Sequence, residues 1–263
     1  MLTQAQKKAA ALAAIAVVGG AATNIWLAPQ PGMMKVAAWL ITMAMAALLC
    51  GCIGKAIAGC WDAVLIDGRN RVSLSRLQML AWTLLILSAL ITAVASNLGL
   101  PDNGQALAIE IPDPLLAAMG IAAVSLAASP ALLTLKGADP ATGVSLAAYH
   151  AAPDEASWLD MFRGDDPAEA NQPDLSKIQQ FLITLALVGG YGVLIGDMFC
   201  HLTGAFATFP ALDPKFVWLL GISHAGYLTY KAAPKPAAPV AGGAAAPAAM
   251  PAPPAPPPPP AST

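Results

Sequence analysis

Charge is what this 263-residue chain has least of: Asp, Glu, Lys and Arg together make up 11% of it. A water-soluble domain carries about 25%, because its surface must be solvated, so a soluble globular enzyme is excluded. The 13 basic and 15 acidic residues give a net charge of −2, without the basic excess of a nucleic-acid footprint. Motifs of chemistry are equally scarce. There is no nucleophile–base arrangement, phosphate loop or nucleotide-binding fingerprint, and no pattern asks for a cofactor. What is abundant is apolar: 57% hydrophobic residues and a mean hydropathy of +0.63. This is the composition of a polytopic membrane protein.

A bilayer core about 30 Å thick needs about 20 apolar residues per spanning helix. Six stretches lack Asp, Glu, Lys and Arg: 9–34, 36–54, 77–101, 114–135, 178–196 and 216–230. The predicted fold is therefore all-α, a transmembrane helical bundle of about six spans. The last stretch covers only about 22 Å at 1.5 Å per residue, so the bilayer must thin or the flanking lysines must snorkel. Basic residues set the orientation. With the N-terminus inside, Lys7, Lys8, Lys55, Arg69, Arg71, Arg76, Lys136, Arg163, Lys177, Lys231 and Lys235 are cytoplasmic, and only Lys35 and Lys215 lie outside. Both termini are then cytoplasmic. Lys7 and Lys8 before an Ala-rich run also fit a signal peptide, with Gly19 to Ala22 as its cleavage region. Against that, the run continues apolar through Trp26, which suits an interfacial anchor.

Self-similarity is the most informative pattern. Leu74-Ser75-Arg76-Leu77-Gln78 recurs 101 residues later as Leu175-Ser176-Lys177-Ile178-Gln179, Thr83-Leu84 as Thr184-Leu185 and Gly120-Ile121 as Gly221-Ile222. Asp113-Pro114 recurs at Asp213-Pro214, one residue out of register. Spans three and four thus form a hairpin duplicated by spans five and six. Two helices per unit keep both copies in one orientation, which makes the repeat parallel. The repeated elements read as helix starts. Ser75 with Gln78, and Ser176 with Gln179, fit the capping box; Asp113 and Asp213 fit an N-cap with proline at the next position. A second reading gives Arg76–Gln78 and Lys177–Gln179 to lipid head groups or a pore mouth.

The residues Asp67-Gly68-Arg69, Ser73-Leu74-Ser75-Arg76-Leu77-Gln78, Trp82-Thr83, Gly221-Ile222-Ser223 and Tyr227-Leu228 carry a resemblance. Over residues 65–231 the chain resembles a group of uncharacterised bacterial polytopic membrane proteins. These pair a Ser-Leu-Ser-Arg-x-Gln-x-x-x-Trp-Thr helix start with a Gly-Ile-Ser-x-x-x-Tyr-Leu span. The second copy departs from the pattern at Ile183, which replaces the tryptophan, and the first at Ala122, which stands where the second has Ser223. The resemblance implies a multi-pass protein of the bacterial inner membrane and no activity.

The chain divides into two N-terminal spans (1–54), a basic linker (55–76), the first hairpin (77–135), an acidic loop (136–176), the second hairpin (177–231) and a tail (232–263). The loop carries Asp139, Asp154, Glu155, Asp160, Asp165, Asp166, Glu169 and Asp174. Trp158-Leu159 and Met161-Phe162 give it a surface for the membrane interface, the bundle or a partner. A mostly disordered loop is the alternative, and its repeated Gly and Pro argue against a folded catalytic domain. The tail holds 12 of the 24 prolines and suits a spacer or a docking strip.

His224 is the leading single candidate for function, an ionisable side chain within a span and level with Thr184. The bland reading bonds it to Thr184 or Ser223 as helix glue. Ser88, Thr92 and Ser96 form a stripe on span three that either packs or wets a pore, and Thr83 joins this polar set. Gly192 and Gly196 suit close helix packing. Asp197 and His201, with Cys200 beside them, read better as an ion pair than as a metal site. Cys50, Cys52 and Cys60 lack an evident fourth ligand, so no metal is assigned. The favoured function is a non-catalytic, homo-oligomeric anchor or scaffold that meets a cytoplasmic protein through its loop and tail. The alternative is an ion or small-solute channel with a path lined by His224.

Overall fold

A computed structural model of the chain describes residues 3–101, 104–137, 149–165 and 169–233. The 234–263 tail with Lys235, and Asp139 and Asp166 of the acidic loop, lie outside the described residues. Six α-helices carry the fold: α1 (Gln4–Leu27), α2 (Met33–Ala58), α3 (Leu74–Leu98), α4 (Asp113–Gly137), α5 (Leu175–His201) and α6 (Pro214–Ala232). Among the described residues no β-strand forms, only three isolated bridges. Helices α1 to α5 are each long and apolar enough to cross a membrane. Their lipid-facing positions keep large apolar side chains outward, among them Val18, Val193 and Leu194. The protein is a helical membrane bundle.

Local chemistry sets the helix ends. Thr3 and Gln6 form a reciprocal capping box that starts α1. The apolar run 9–34 is not one helix: Pro29, Pro31 and Gly32 turn the chain between α1 and α2, with Gly32 at φ +63°. Asp213 caps α6 by accepting the Lys215 amide at 2.8 Å, with Pro214 at the first helical position. Three other expected caps differ. α3 starts after Ser73, which leaves Ser75 inside the helix and buried. α5 is capped by Asp174, which accepts the Ser176 and Lys177 amides, so Ser176 instead donates its hydroxyl to that carboxylate at 2.6 Å. The aspartate outcompetes the serine as acceptor because it is charged. Asp113 is the first residue of α4, and the Pro112 carbonyl accepts the amides of Leu115 and Leu116.

Helices α3, α4, α6 and α5 form a ring, with α2 packed outside α3 and α5 and α1 outside α2. The chain runs up and down between two ends. One end gathers the start of α1, pinned by Gln6 to the Ala56 carbonyl, and the charged segments before α3 and α5; it is called the basic end. The other is closed by aromatics. There Phe199, Phe206 and Phe209 stack at 5.2–5.4 Å, and Asn97 bonds the Phe206 backbone through both its oxygen and its nitrogen. α6 runs the height of the bundle between these ends. Its 19 residues rise about 28 Å, longer than the 216–230 stretch alone, but α6 is not among the helices long and apolar enough to cross a membrane. Lys231 does not snorkel but is buried and bonded inside the ring.

The buried faces of α3 and α5 follow one spacing, which differs by one residue from the spacing of the matching residue identities. The buried positions of α5 are Lys177, Gln180, Thr184, Leu187, Tyr191, Ile195 and Phe199. Each follows a buried α3 position by 102 residues, the spacing of the Gln78–Gln180 contact: Ser75, Gln78, Trp82, Leu85, Ala89, Ala93 and Asn97. The same spacing carries Ala118, Ala122, Ser125 and Ser129 of α4 onto Leu220, His224, Tyr227 and Lys231 of α6. Identity aligns Gln78 with Gln179, but Gln179 is exposed and Gln180 takes its place. One residue rotates a helix position by about 100°, so burial and identity cannot share a register. The segments before α3 and α5 also share a local pattern. A 3-10 turn (Ala63–Leu65, then Trp158–Phe162) leads into an antiparallel bridge, Ile66 with Val72 and Arg163 with Pro173.

Candidate functional site at the basic end of the bundle

The segments preceding α3 and α5 meet at the basic end, and Arg71 joins them. Its guanidinium donates to the carbonyls of Gly164 (3.0 Å) and Asp160 (2.8 Å) and lies 4.5 Å over the Tyr149 ring. Such a fork satisfies several carbonyls at once, which a lysine ammonium does less well. The Tyr149 amide donates to the Arg69 carbonyl, and Asn70 donates to the His150 carbonyl at 2.8 Å. Part of the acidic loop is thus folded onto the bundle. Within it, Asp160 is fully buried beside His150 (3.0 Å) and Arg163 (3.4 Å).

At the centre stands Asp165, 2.9 Å from Lys177, 2.9 Å from Lys231 and 3.6 Å from Arg71. Burial alone would raise its pKa. The charges of Lys177, Lys231 and Arg71 outweigh that and hold the carboxyl well below the usual carboxylate range. Lys231 also bonds the Tyr227 hydroxyl (3.0 Å) and the Ser129 hydroxyl. Beside the cluster is a cavity of about 200 Å³, lined by Arg69, Arg71, Arg76, Lys177 and Lys231 on one side and by Leu126, Pro130 and Leu133 of α4 on another.

A polar column continues into the ring. Ser75 and Ser125 hydroxyls are 3.4 Å apart. Gln78 donates to Thr184 at 2.7 Å, and Gln180 donates back to Gln78 at 3.2 Å. The two buried glutamines thus bond each other across α3 and α5. The column ends at apolar packing: Trp82 tilts against Tyr191 at 6.2 Å, and Trp39 against Phe199 at 5.9 Å.

The remaining sequence candidates are placed as follows. His224 is buried, but its Nδ1–H donates to the Leu220 carbonyl of its own helix at 2.9 Å, and Nε2 has no protein partner. The expected bond to Thr184 or Ser223 is absent because Gln78 occupies Thr184, while the buried Ser223 hydroxyl has no partner. Thr83 donates to its own Met79 carbonyl. Ser88 accepts the Trp39 indole N–H at 3.0 Å, and Thr92 and Ser96 are buried above it. Gly192 and Gly196 make room for neighbours: a Cβ on Gly196 would lie 3.5 Å from the Trp39 ring and one on Gly192 3.5 Å from Leu85. Asp197 and His201 are an exposed pair at 3.2 Å. The Cys60 thiol is pushed up by burial and by Asp62 beside it. Among the described residues no three His, Cys, Asp or Glu side chains come together.

Of Arg71, Asp165, Lys177 and Lys231, the sequence singled out only Lys177, as a head-group or pore-mouth candidate, and did not bring the four together. The signal for the cluster was charge complementarity: an acidic loop in a chain whose helix ends on the same side are basic. No protein-family model, curated protein or solved structure matches the chain.

Proposed function

We propose that the protein is a non-catalytic anchor of the bacterial inner membrane, a member of the group it resembles, which presents a fixed cytoplasmic surface to a protein partner. The observation that carries this reading is the Arg71–Asp165–Lys177–Lys231 clasp, which turns part of an acidic loop into a structured cap on the bundle. Orientation follows from charge. Lys7, Lys8, Lys55, Arg69, Arg71, Arg76, Arg163, Lys177 and Lys231 lie toward the basic end and Lys35 and Lys215 toward the other, so the positive-inside rule puts the basic end in the cytoplasm. Trp158 and Leu159 then stand exposed on the cytoplasmic cap. Self-association through the lipid-facing helices belongs to the same reading.

A channel is the second reading, favoured by the unpartnered Thr92 hydroxyl and His224 Nε2 inside the ring. The aromatic closure of Phe199, Phe206 and Phe209 and the Trp39 bond to Ser88 weigh against it. A photo-crosslinker at Trp158 or Leu159 in living cells tests the anchor. A discrete protein adduct that disappears when Arg71→Ala releases the loop supports it; adducts to lipid alone contradict it.

A further inference from the structure

We infer that the cavity at the basic end binds one phosphate group, carried by an anionic phospholipid or by a soluble phosphate. The first argument is charge. Five cations line the cavity, Arg69, Arg71, Arg76, Lys177 and Lys231, against three carboxylates, Asp67, Asp160 and Asp165. Among the described lining residues cations thus exceed carboxylates by two, in a partly enclosed site where excess charge of one sign favours an anion. Asp160 is moreover turned toward His150 and Arg163, and Asp67 accepts the amides of Arg69 and Arg71 in its own turn.

The second argument is the donors left over. Arg71 and Lys231 are occupied by the clasp, but three other groups are not saturated. The buried Arg69 Nε–H has no acceptor in the protein. Arg76 makes one long bond, 3.5 Å to the Val64 carbonyl. Lys177 donates to Arg163 O and Asp165, which leaves one of its three N–H groups. A phosphate offers several acceptor oxygens and suits the guanidinium fork. The cavity, at about 200 Å³, is smaller than the ~300–1,000 Å³ of pockets for drug-sized ligands and matches a small polar group. Its Leu126, Pro130 and Leu133 wall gives an acyl chain an apolar route along α4.

The test uses the full chain in nanodiscs. Inorganic phosphate is titrated calorimetrically into protein in pure phosphatidylcholine, and native mass spectrometry counts lipid retained from phosphatidylcholine–phosphatidylglycerol mixtures. Saturable phosphate binding, or one retained phosphatidylglycerol, is expected for the wild type. Arg76→Gln, which gives up only one long protein bond, should weaken either about tenfold, and Arg69→Gln should do the same. Retention of lipid without phosphate binding assigns the site to a headgroup, and the converse assigns it to a soluble anion. Binding in neither arm overturns the inference, as does binding unchanged in both folded variants.

Discussion

Asp165→Asn removes a negative charge that Arg71, Lys177 and Lys231 share while keeping the shape of the side chain. Arg71 and Lys177 are 3% and 5% exposed at the side chain, and Lys231 is 5% exposed, so solvent cannot replace the lost partner. Breaking a buried ion pair from one side costs about 3–5 kcal/mol. Asp165 itself is 16% exposed and admits some water, so the lower end, about 3 kcal/mol, applies. In thermal melts followed by circular dichroism that is a fall of about 6–12 °C. The pH dependence has a definite sign. The folded carboxyl has its pKa depressed below the unfolded value near 4, so its stabilisation is complete above about pH 4 and is lost as the pH falls toward the folded value. Wild type should lose melting temperature on acidification and Asp165→Asn should lack that component. Adding Lys231→Met to Asp165→Asn should recover part of the loss, because it removes one of the stranded cations. An Asp165→Asn variant that melts within about 1 °C of wild type at neutral pH would refute the clasp, since a buried pair costs more than that.

Three more expectations follow from single contacts. Gln78→Leu strands Thr184 and Gln180 and should destabilise by about 1 kcal/mol, and Gln78→Leu with Gln180→Leu should be less than additive in a double-mutant cycle, because the two amides bond each other. Gly196→Leu drives a side chain into the Trp39 ring and should cost about 1–3 kcal/mol, while Gly196→Ala, with its Cβ at ordinary contact distance, should melt close to wild type. Arg71→Lys keeps the charge but loses the fork over Gly164 and Asp160, so limited trypsin digestion should cut at Arg163 several-fold faster than in wild type.

The bundle itself could be read from the chain because membrane spans need only apolar length, and the stretches without Asp, Glu, Lys or Arg fall within the observed helices, apart from residues 99–101 beyond the end of α3 and the first stretch. The latter exception is instructive. Pro29 and Pro31 interrupt the first stretch, but they are uncharged, and a criterion based on charge passes over them. Asp213 was legible as a cap from its place before proline, but the same pair at Asp113-Pro114 starts α4 at the aspartate itself, so the dipeptide marks a helix start more surely than the capping residue. Ser75 and Ser176 were not so legible, since Ser-x-x-Gln fits a box wherever it occurs; α3 has its N-cap at Ser73, two residues before Ser75, and at α5 the competing acceptor, Asp174, lies two residues before Ser176. The 102-residue packing register was hidden by matching residues one position away, on a different helix face. The clasp was the least legible feature. Asp165 lies 94 positions after Arg71, 12 before Lys177 and 66 before Lys231, and no periodicity connects a loop carboxylate to lysines on two helices. His224 drew notice as an ionisable group in a span, yet the structure gives its Nδ1–H to the neighbouring turn and leaves the charge chemistry to the basic end.

Ion flux through the purified full chain in liposomes tests most directly whether this is a closed anchor. The protein, wild type and His224→Ala, is assayed with potassium, sodium, chloride and proton gradients at two pH values. The account predicts no flux above protein-free liposomes for either form. Selective flux in wild type that His224→Ala abolishes or shifts in pH dependence would contradict it and make the Ser88–Thr92–Ser96 face and His224 the walls of a path.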